Sequence, residues 1–295
     1  MKALLKKELR IGFARPEVYA FLGVTLLSVG IAAVIQHAVI RHPDFQLSLP
    51  YGLWALILAA PLLTMGAWRD ERGQNTDRLL SALPLRPGQI ALGKYAALLV
   101  PLGIVTILLL LYALIPLSLG APSLRAAWGM TAYFFAFGAA ALGAGLFQSV
   151  LAVNRWDAWG STAALVALAC FAPQLSAFLL AMTLAWLYVL ALGILGFSLA
   201  WIFSHSLRAA VYGLIVGLAV PLALLISGQV SLLNNLVSGI LSLFARTGDL
   251  ISAQNGLLHP STLLVNLGVA ALFVVWTAAL LALQSRKKEV KRHVA

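Results

Sequence analysis

The sequence predicts an all-α, polytopic membrane protein. About eight transmembrane helices are expected, with an N-terminal amphipathic interfacial helix and a short cytoplasmic helix. Three observations predict this. Of 295 residues, 62% are hydrophobic and only 10% charged, with a mean hydropathy of +0.96, where soluble domains carry about 25% charged residues. Five stretches contain no Asp, Glu, Lys or Arg: 95–124, 126–154, 158–207, 209–245 and 250–285. Each exceeds the roughly 20 apolar residues that cross a hydrocarbon core. All are apolar on every side, which excludes the alternating strands of a membrane barrel.

Residues 1–16 form the first element. Met1, Leu4, Leu5, Leu9 and Phe13 recur every three to four residues, while Lys2, Lys6, Lys7 and Arg10 face elsewhere. Such a helix lies in the headgroup plane, and Pro16 marks the bend into the first span. No small-residue cleavage site follows a short apolar core, so a removable signal peptide is not expected.

Spans are expected at 18–40, 51–67, 91–118, 128–152, 158–173, 176–203, 209–228 and 261–284. The fifth and sixth are divided at "FAPQLS", around Pro173. Fifty uncharged residues are too many for one crossing, and this is the one turn signal among them. The division also satisfies the positive-inside rule. It leaves Arg41, Arg125 and Arg246 outside, and the other seventeen Lys and Arg residues inside. Both termini, including the basic tail 286–295, then face the cytoplasm, and the protein belongs in the cytoplasmic (inner) membrane. The net charge of +11 is that of a face beside anionic lipid rather than a nucleic-acid surface. Trp68, Trp128, Trp156, Trp159 and Trp201 stand at span ends, as in an interfacial aromatic belt. Lys94 reads as an inner-surface anchor that snorkels toward lipid phosphates.

Candidate chemistry is sparse. Gly88 through Gly93-Lys94 matches the start of a phosphate-binding loop, but Tyr95 stands where a magnesium-ligating Ser or Thr is needed. Pro84 and Pro87 also forbid the preceding central strand. His37, His42 and Asp44 do not stack as metal ligands, and Ser204-His205-Ser206 reads as a solvated turn. Cys170, the single cysteine, excludes a disulfide framework. No catalytic residue and no metal are assigned. Ion-coupled carriers keep ionisable residues within their spans; none is central here, so energy is expected from elsewhere.

Two connecting segments stand out. In 229–260, expected outside, Leu232, Leu233, Leu236, Ile240, Leu243 and Phe244 recur at helical spacing, which fits a helix lying at the outer interface or partly re-entering the membrane, or a plain interfacial loop. In the cytoplasmic loop 69–88, Asp70 and Glu71 favour a helix start. Leu79, Leu80 and Leu83 form an apolar stripe, and Pro84 stops it. The leucines either dip into the interface or fit a groove on a partner.

"RDERGQNTDRLLSALPLRPGQIALGKYAALL" resembles the segment after the second span of ABC-2 type permeases. Glu71, Arg72, Thr76, Leu79, Leu80, Leu83-Pro84-Leu85 and Gly93-Lys94 match in register. Asn75 replaces a Gly, and the acid expected before the leucine pair is displaced to Asp77. "GLFQSVLAVNRWDAW" (Gly145–Trp159) is similar to the family's fourth span, and the gliding-motility and nitrous-oxide-maturation branch stands nearest. That branch has six spans, so the pair at 174–228 is an addition.

The resemblance implies an exporter subunit that carries the pathway and no hydrolytic site. ATP and Mg would be bound by a separate cytoplasmic ABC ATPase, and the permease would pair with a second copy or a homologous permease in lipid. The loop would be the coupling helix, contacting the ATPase through Glu71, Arg72, Thr76, Asp77, Leu79, Leu80 and Leu83. The alternatives are a stand-alone secondary carrier, and a membrane scaffold or enzyme.

Overall fold

The structure, a computed structural model, describes residues 2–40, 45–70, 86–114, 124–181, 185–227, 230–244, 254 and 259–294. The described residues are helical, with α1 Lys2–Phe13, α2 Pro16–Val34, α3 Leu49–Thr64, α4 Pro87–Tyr112, α5 Leu124–Leu151, α6 Arg155–Ala181, α7 Ala185–Ser204, α8 Leu207–Ile226, α9 Val230–Phe244 and α10 Pro260–Val294. Helix α2 runs on through a π-helical turn at Ile35–Val39. Among the described residues, six helices are long and apolar enough to cross a membrane: Pro16–His37, Pro87–Tyr112, Arg125–Leu151, Arg155–Phe178, Leu207–Ile226 and Pro260–Gln284. Leu49–Thr64 and Val189–Ser204 are apolar but shorter. The protein is therefore all-helical and membrane-spanning.

The expected division at Pro173 is corrected. Helix α6 passes through Pro173 without a break and runs to Ala181, and α7 starts at Ala185; residues 182–184 lie outside the described residues. Proline stops a helix in water because a freed carbonyl and a kink are left behind. Inside a helix bundle, neighbouring helices and hydroxyls satisfy the backbone again. Pro61, Pro101 and Pro221 likewise sit inside α3, α4 and α8.

The chain forms two compact units, Met1–Ala163 with Asp249–Ala295, and Ala164–Gly248. In the first, α5 is the central helix. In the window that defines its span 89% of residues are buried, against at most 39% in the other five spans. Three glycines let three neighbours approach it. A Cβ on Gly138 would lie 2.7 Å from Leu102 Cδ1 of α4, and one on Gly143 would lie 3.2 Å from the Ala270 carbonyl of α10. One on Gly145 would overlap Thr64 Oγ1 of α3. Tyr133, Phe134, Met130, Leu142 and Leu146 fill the rest of the α5 surface, fully buried. Outward-facing Leu27, Ile31, Leu58, Ile107, Leu111, Val275 and Leu283 are exposed, as side chains facing lipid would be.

The second unit pairs α7 with α8 at backbone contact. A Cβ on Gly196 would overlap the Gly213 carbonyl, and one on Gly217 would lie 2.7 Å from the Leu192 carbonyl. Small residues at such a crossing let dispersion and weak Cα–H bonds replace a hydrophobic drive that lipid does not provide. The connecting turn holds His205 at φ 48, and Ser206 Oγ accepts from the Ala209 amide at 3.4 Å to cap α8. Ser204-His205-Ser206 is thus a tight hairpin turn. Segment 229–260 contains a helix, α9, but its inward side is Val237 and Leu241, packed with Ala172 and Leu192. Leu232, Ile240 and Leu243 are exposed.

Gly145→Leu is expected to cost about 1–3 kcal/mol by overpacking. Gly103→Ala, where nothing lies within 4 Å of the added Cβ, should be neutral or add about 0.5–1 kcal/mol. Thermal unfolding of both variants in detergent checks the contrast.

Candidate functional site

Chain direction places the ends of several helices of the first unit together. Trp68, after α3, packs with Leu146 and Val150 near the end of α5, Ile90 and Tyr95 at the start of α4, and Leu280 and Leu281 of α10. The segment 71–85 leaves and re-enters the described residues at this end. Glu71, Arg72, Thr76, Asp77, Leu79, Leu80 and Leu83 lie outside the described residues. What is described is the root from which that segment emerges.

The root is built from a turn and two charge clusters. After α3 the chain turns through residues 65–68, where the Ala67 amide donates to the Thr64 carbonyl at 3.0 Å. Ser149 Oγ of α5 accepts from the Trp68 amide at 3.1 Å, which fixes the turn to the central helix. At the other side of the segment, Pro87 opens α4 with its missing N–H at a position that needs none. The Gln89 side chain accepts from the Arg86 amide at 3.1 Å.

Lys94, expected to reach outward to lipid phosphates, instead turns inward and is 3% exposed. Its Nζ donates to the Ala67 carbonyl at 2.9 Å and to Glu8 Oε2 at 3.3 Å, and lies 4.8 Å from the centre of the Trp68 ring. Trp68 is buried too, so neither residue is a surface anchor. The reason is local: α1 covers this spot. A Cβ on Gly93 would lie 2.8 Å from Leu4 Cδ2, so glycine lets α1 lie against α4. With the lipid route closed, the lysine takes a carboxylate, a carbonyl and an aromatic face, each favourable to a cation.

The second cluster alternates in sign. Arg15 NH1 lies 2.9 Å from Asp70 Oδ2, Asp70 Oδ1 lies 3.5 Å from Arg155 Nε, and Arg155 NH2 lies 2.5 Å from Glu17 Oε1. Gly66 makes the space, since a Cβ there would lie 2.6 Å from Asp70 Oδ2. One carboxylate at the root thereby joins the α1–α2 elbow to the α5–α6 turn. That turn is closed by Asp157, whose Oδ2 accepts from the Val153 amide at 2.9 Å. The elbow is closed by Tyr19, whose hydroxyl donates to the Phe13 carbonyl at 3.0 Å.

Residues 88–94 form the first turns of α4. Their amides after the first turn are spent on the helix ladder, leaving no phosphate cradle there. Among the described residues no three His, Cys, Asp or Glu side chains could hold a metal ion. His37 Nδ1 lies 2.7 Å from the Ala33 carbonyl, and His42 and Asp44 lie outside the described residues.

The sequence reading missed Glu8, Arg15, Glu17 and Arg155 as a set. A signal was present: the chain has nine acids, and Glu8, Glu17 and Asp70 all stand at the end richest in Lys and Arg. No family model matches the chain, and neither a curated protein nor a solved structure matches it.

Lys94→Met leaves the Glu8 carboxylate buried against an apolar side chain and is expected to destabilise by about 3–5 kcal/mol. The double variant Glu8→Leu/Lys94→Met removes both charges and should recover most of that loss. Melting temperatures of the three proteins in one detergent check it.

Proposed function

We propose that this chain is the membrane-spanning permease subunit of an ABC-2 type exporter, an integral protein of the cytoplasmic membrane with both termini inside. In this reading segment 69–88 is the coupling helix. Glu71, Arg72, Thr76, Asp77, Leu79, Leu80 and Leu83 contact a separate ATPase, which binds ATP and Mg, and a second permease completes the assembly. Leu49–Thr64 and Val189–Ser204 count as spans, which gives eight.

One observation carries the reading: Asp70 is bonded to both Arg15 and Arg155. A push on 71–85 reaches Asp70 first, because it is the adjoining residue. From there ion pairs lead to the starts of α2 and α6, and the peptide chain leads to α3. Lys94, bonded to the Ala67 carbonyl, adds α4. A surface loop of no consequence would not need its root tied to four membrane helices. The motif resemblance of residues 69–99 supports the same reading. So does the distribution of charge, since the described spans keep theirs near their ends. The additional pair of spans relative to the six-span branch falls in the second compact unit, Ala164–Gly248.

Co-expression with the ATPase encoded beside this chain tests the proposal. The two should co-purify, and Leu79→Asp with Leu80→Asp should abolish association while leaving the permease monodisperse. Asp70→Asn should keep association yet lower transport per ATP hydrolysed, because it weakens the root without touching the contact. Transport driven by an ion gradient in the absence of any ATPase would instead establish the carrier reading.

A further inference from the structure

Between α1, the start of α2, the end of α3 and α4 lies a partly enclosed cavity of about 200 Å³. Leu62, Leu63, Leu98 and Pro101 give it an apolar wall, and Lys7, Glu8, Arg15, Glu17 and Lys94 give it charge. Both carboxylates of the lining are already matched, Glu8 by Lys94 and Glu17 by Arg155. Arg15 in turn is matched by Asp70. Among the described residues, four cations (Lys7, Arg15, Lys94 and Arg155) therefore stand against three carboxylates, and the cluster keeps a positive excess. Its reachable groups are cations as well. Lys7 is exposed, and Arg15 meets Asp70 through NH1 with its side chain still 33% exposed. A guanidinium has five N–H donors, so one ion pair leaves donors for a second acceptor.

We propose that this cavity binds the phosphodiester of an anionic phospholipid, phosphatidylglycerol in type, with Arg15 and Lys7 donating to its phosphate oxygens. The planar fork of arginine matches phosphate oxygens in pairs, and basic pockets between helix ends hold anionic headgroups. The leucines and proline then cover the start of the acyl chains. Position favours a lipid, because the cavity lies where α2, α3 and α4 meet the end of the membrane-crossing region. Its volume is below the roughly 300 Å³ of a drug-sized site, so it takes a headgroup while the tails stay in the bilayer. A zwitterionic lipid brings the same phosphate with an added ammonium, which the positive excess disfavours. Free phosphate leaves the apolar wall uncovered. The lipid contact that the sequence assigned to Lys94 thus passes to Lys7 and Arg15, since α1 encloses Lys94. The inference needs a bilayer around the helices and does not depend on the ATPase.

The test uses the full chain purified in detergent, with dioleoyl phosphatidylglycerol, dioleoyl phosphatidylethanolamine or dioleoyl phosphatidylcholine added at equal mole fraction. Phosphatidylglycerol should raise the melting temperature above both zwitterionic lipids by about 2 °C or more. Lys7→Gln, at an exposed position, should fold normally and lose most of that preference. Lys6→Gln removes the same charge from the same helix, at an exposed residue outside the lining, and should keep it. Equal shifts from all three lipids, or a preference that survives Lys7→Gln, would overturn the proposal. So would a loss as large in Lys6→Gln as in Lys7→Gln, which would leave only the general charge of α1. An equal shift from soluble glycerol phosphate would overturn the lipid assignment.

Discussion

The close approach of three helices to α5 is the constraint on which the rest of the structure depends. Lipid tails are as apolar as leucine, so burying leucine gives a membrane bundle little cohesion, and contact at short range must supply it. Gly138, Gly143 and Gly145 remove the side chains that would hold α4, α10 and α3 away. Several buried threonines stay bonded within their own helices. Thr64, Thr131, Thr162 and Thr277 each donate to the carbonyl four residues back. Their hydroxyls need no water, and the interior can close. Once α3 lies on α5, Ser149 meets the Trp68 amide, and the turn that carries Ala67 and Asp70 is placed.

That placement decides the electrostatics. Charges at the end of a span sit where the dielectric falls from that of water toward that of hydrocarbon, so an unmatched one is costly and a matched one is held firmly. The chain resolves this by pairing residues from separate elements. Each of Arg15, Asp70, Arg155 and Glu17 meets an opposite charge contributed by another segment, and Lys94 is enclosed by α1. A displacement of one helix end therefore strains the ion pairs to its neighbours.

Much of this was legible in the sequence, for physical reasons. Hydrocarbon excludes charge, so uncharged runs mark the spans. The 3.6-residue period of Leu4, Leu9 and Phe13 marks α1. Pro173 misled because proline acts as a break mainly where water competes for the backbone. Lys94 misled because a lysine near a span end reads the same whether it faces lipid or a covering helix. Hydropathy does not say which face is covered. The ion pairs were out of reach for another reason: Glu17 and Arg155 lie 138 positions apart, and Glu8 and Lys94 lie 86 apart. Pairings at such separations follow from tertiary packing, which local pattern does not encode. For α9 the helical period was legible, while the inward packing of Val237 and Leu241 was not.

The hairpin of α7 and α8 has a different consequence, for how the protein is made. Gly196 and Gly213 meet in space and lie close along the chain, joined through one tight turn at His205. Contacts so local close early, since little loop entropy opposes them. Two apolar helices that fit each other at backbone range can leave the ribosome, enter the bilayer and pair before the C-terminal span has been synthesised. Such a pair is self-sufficient during biogenesis.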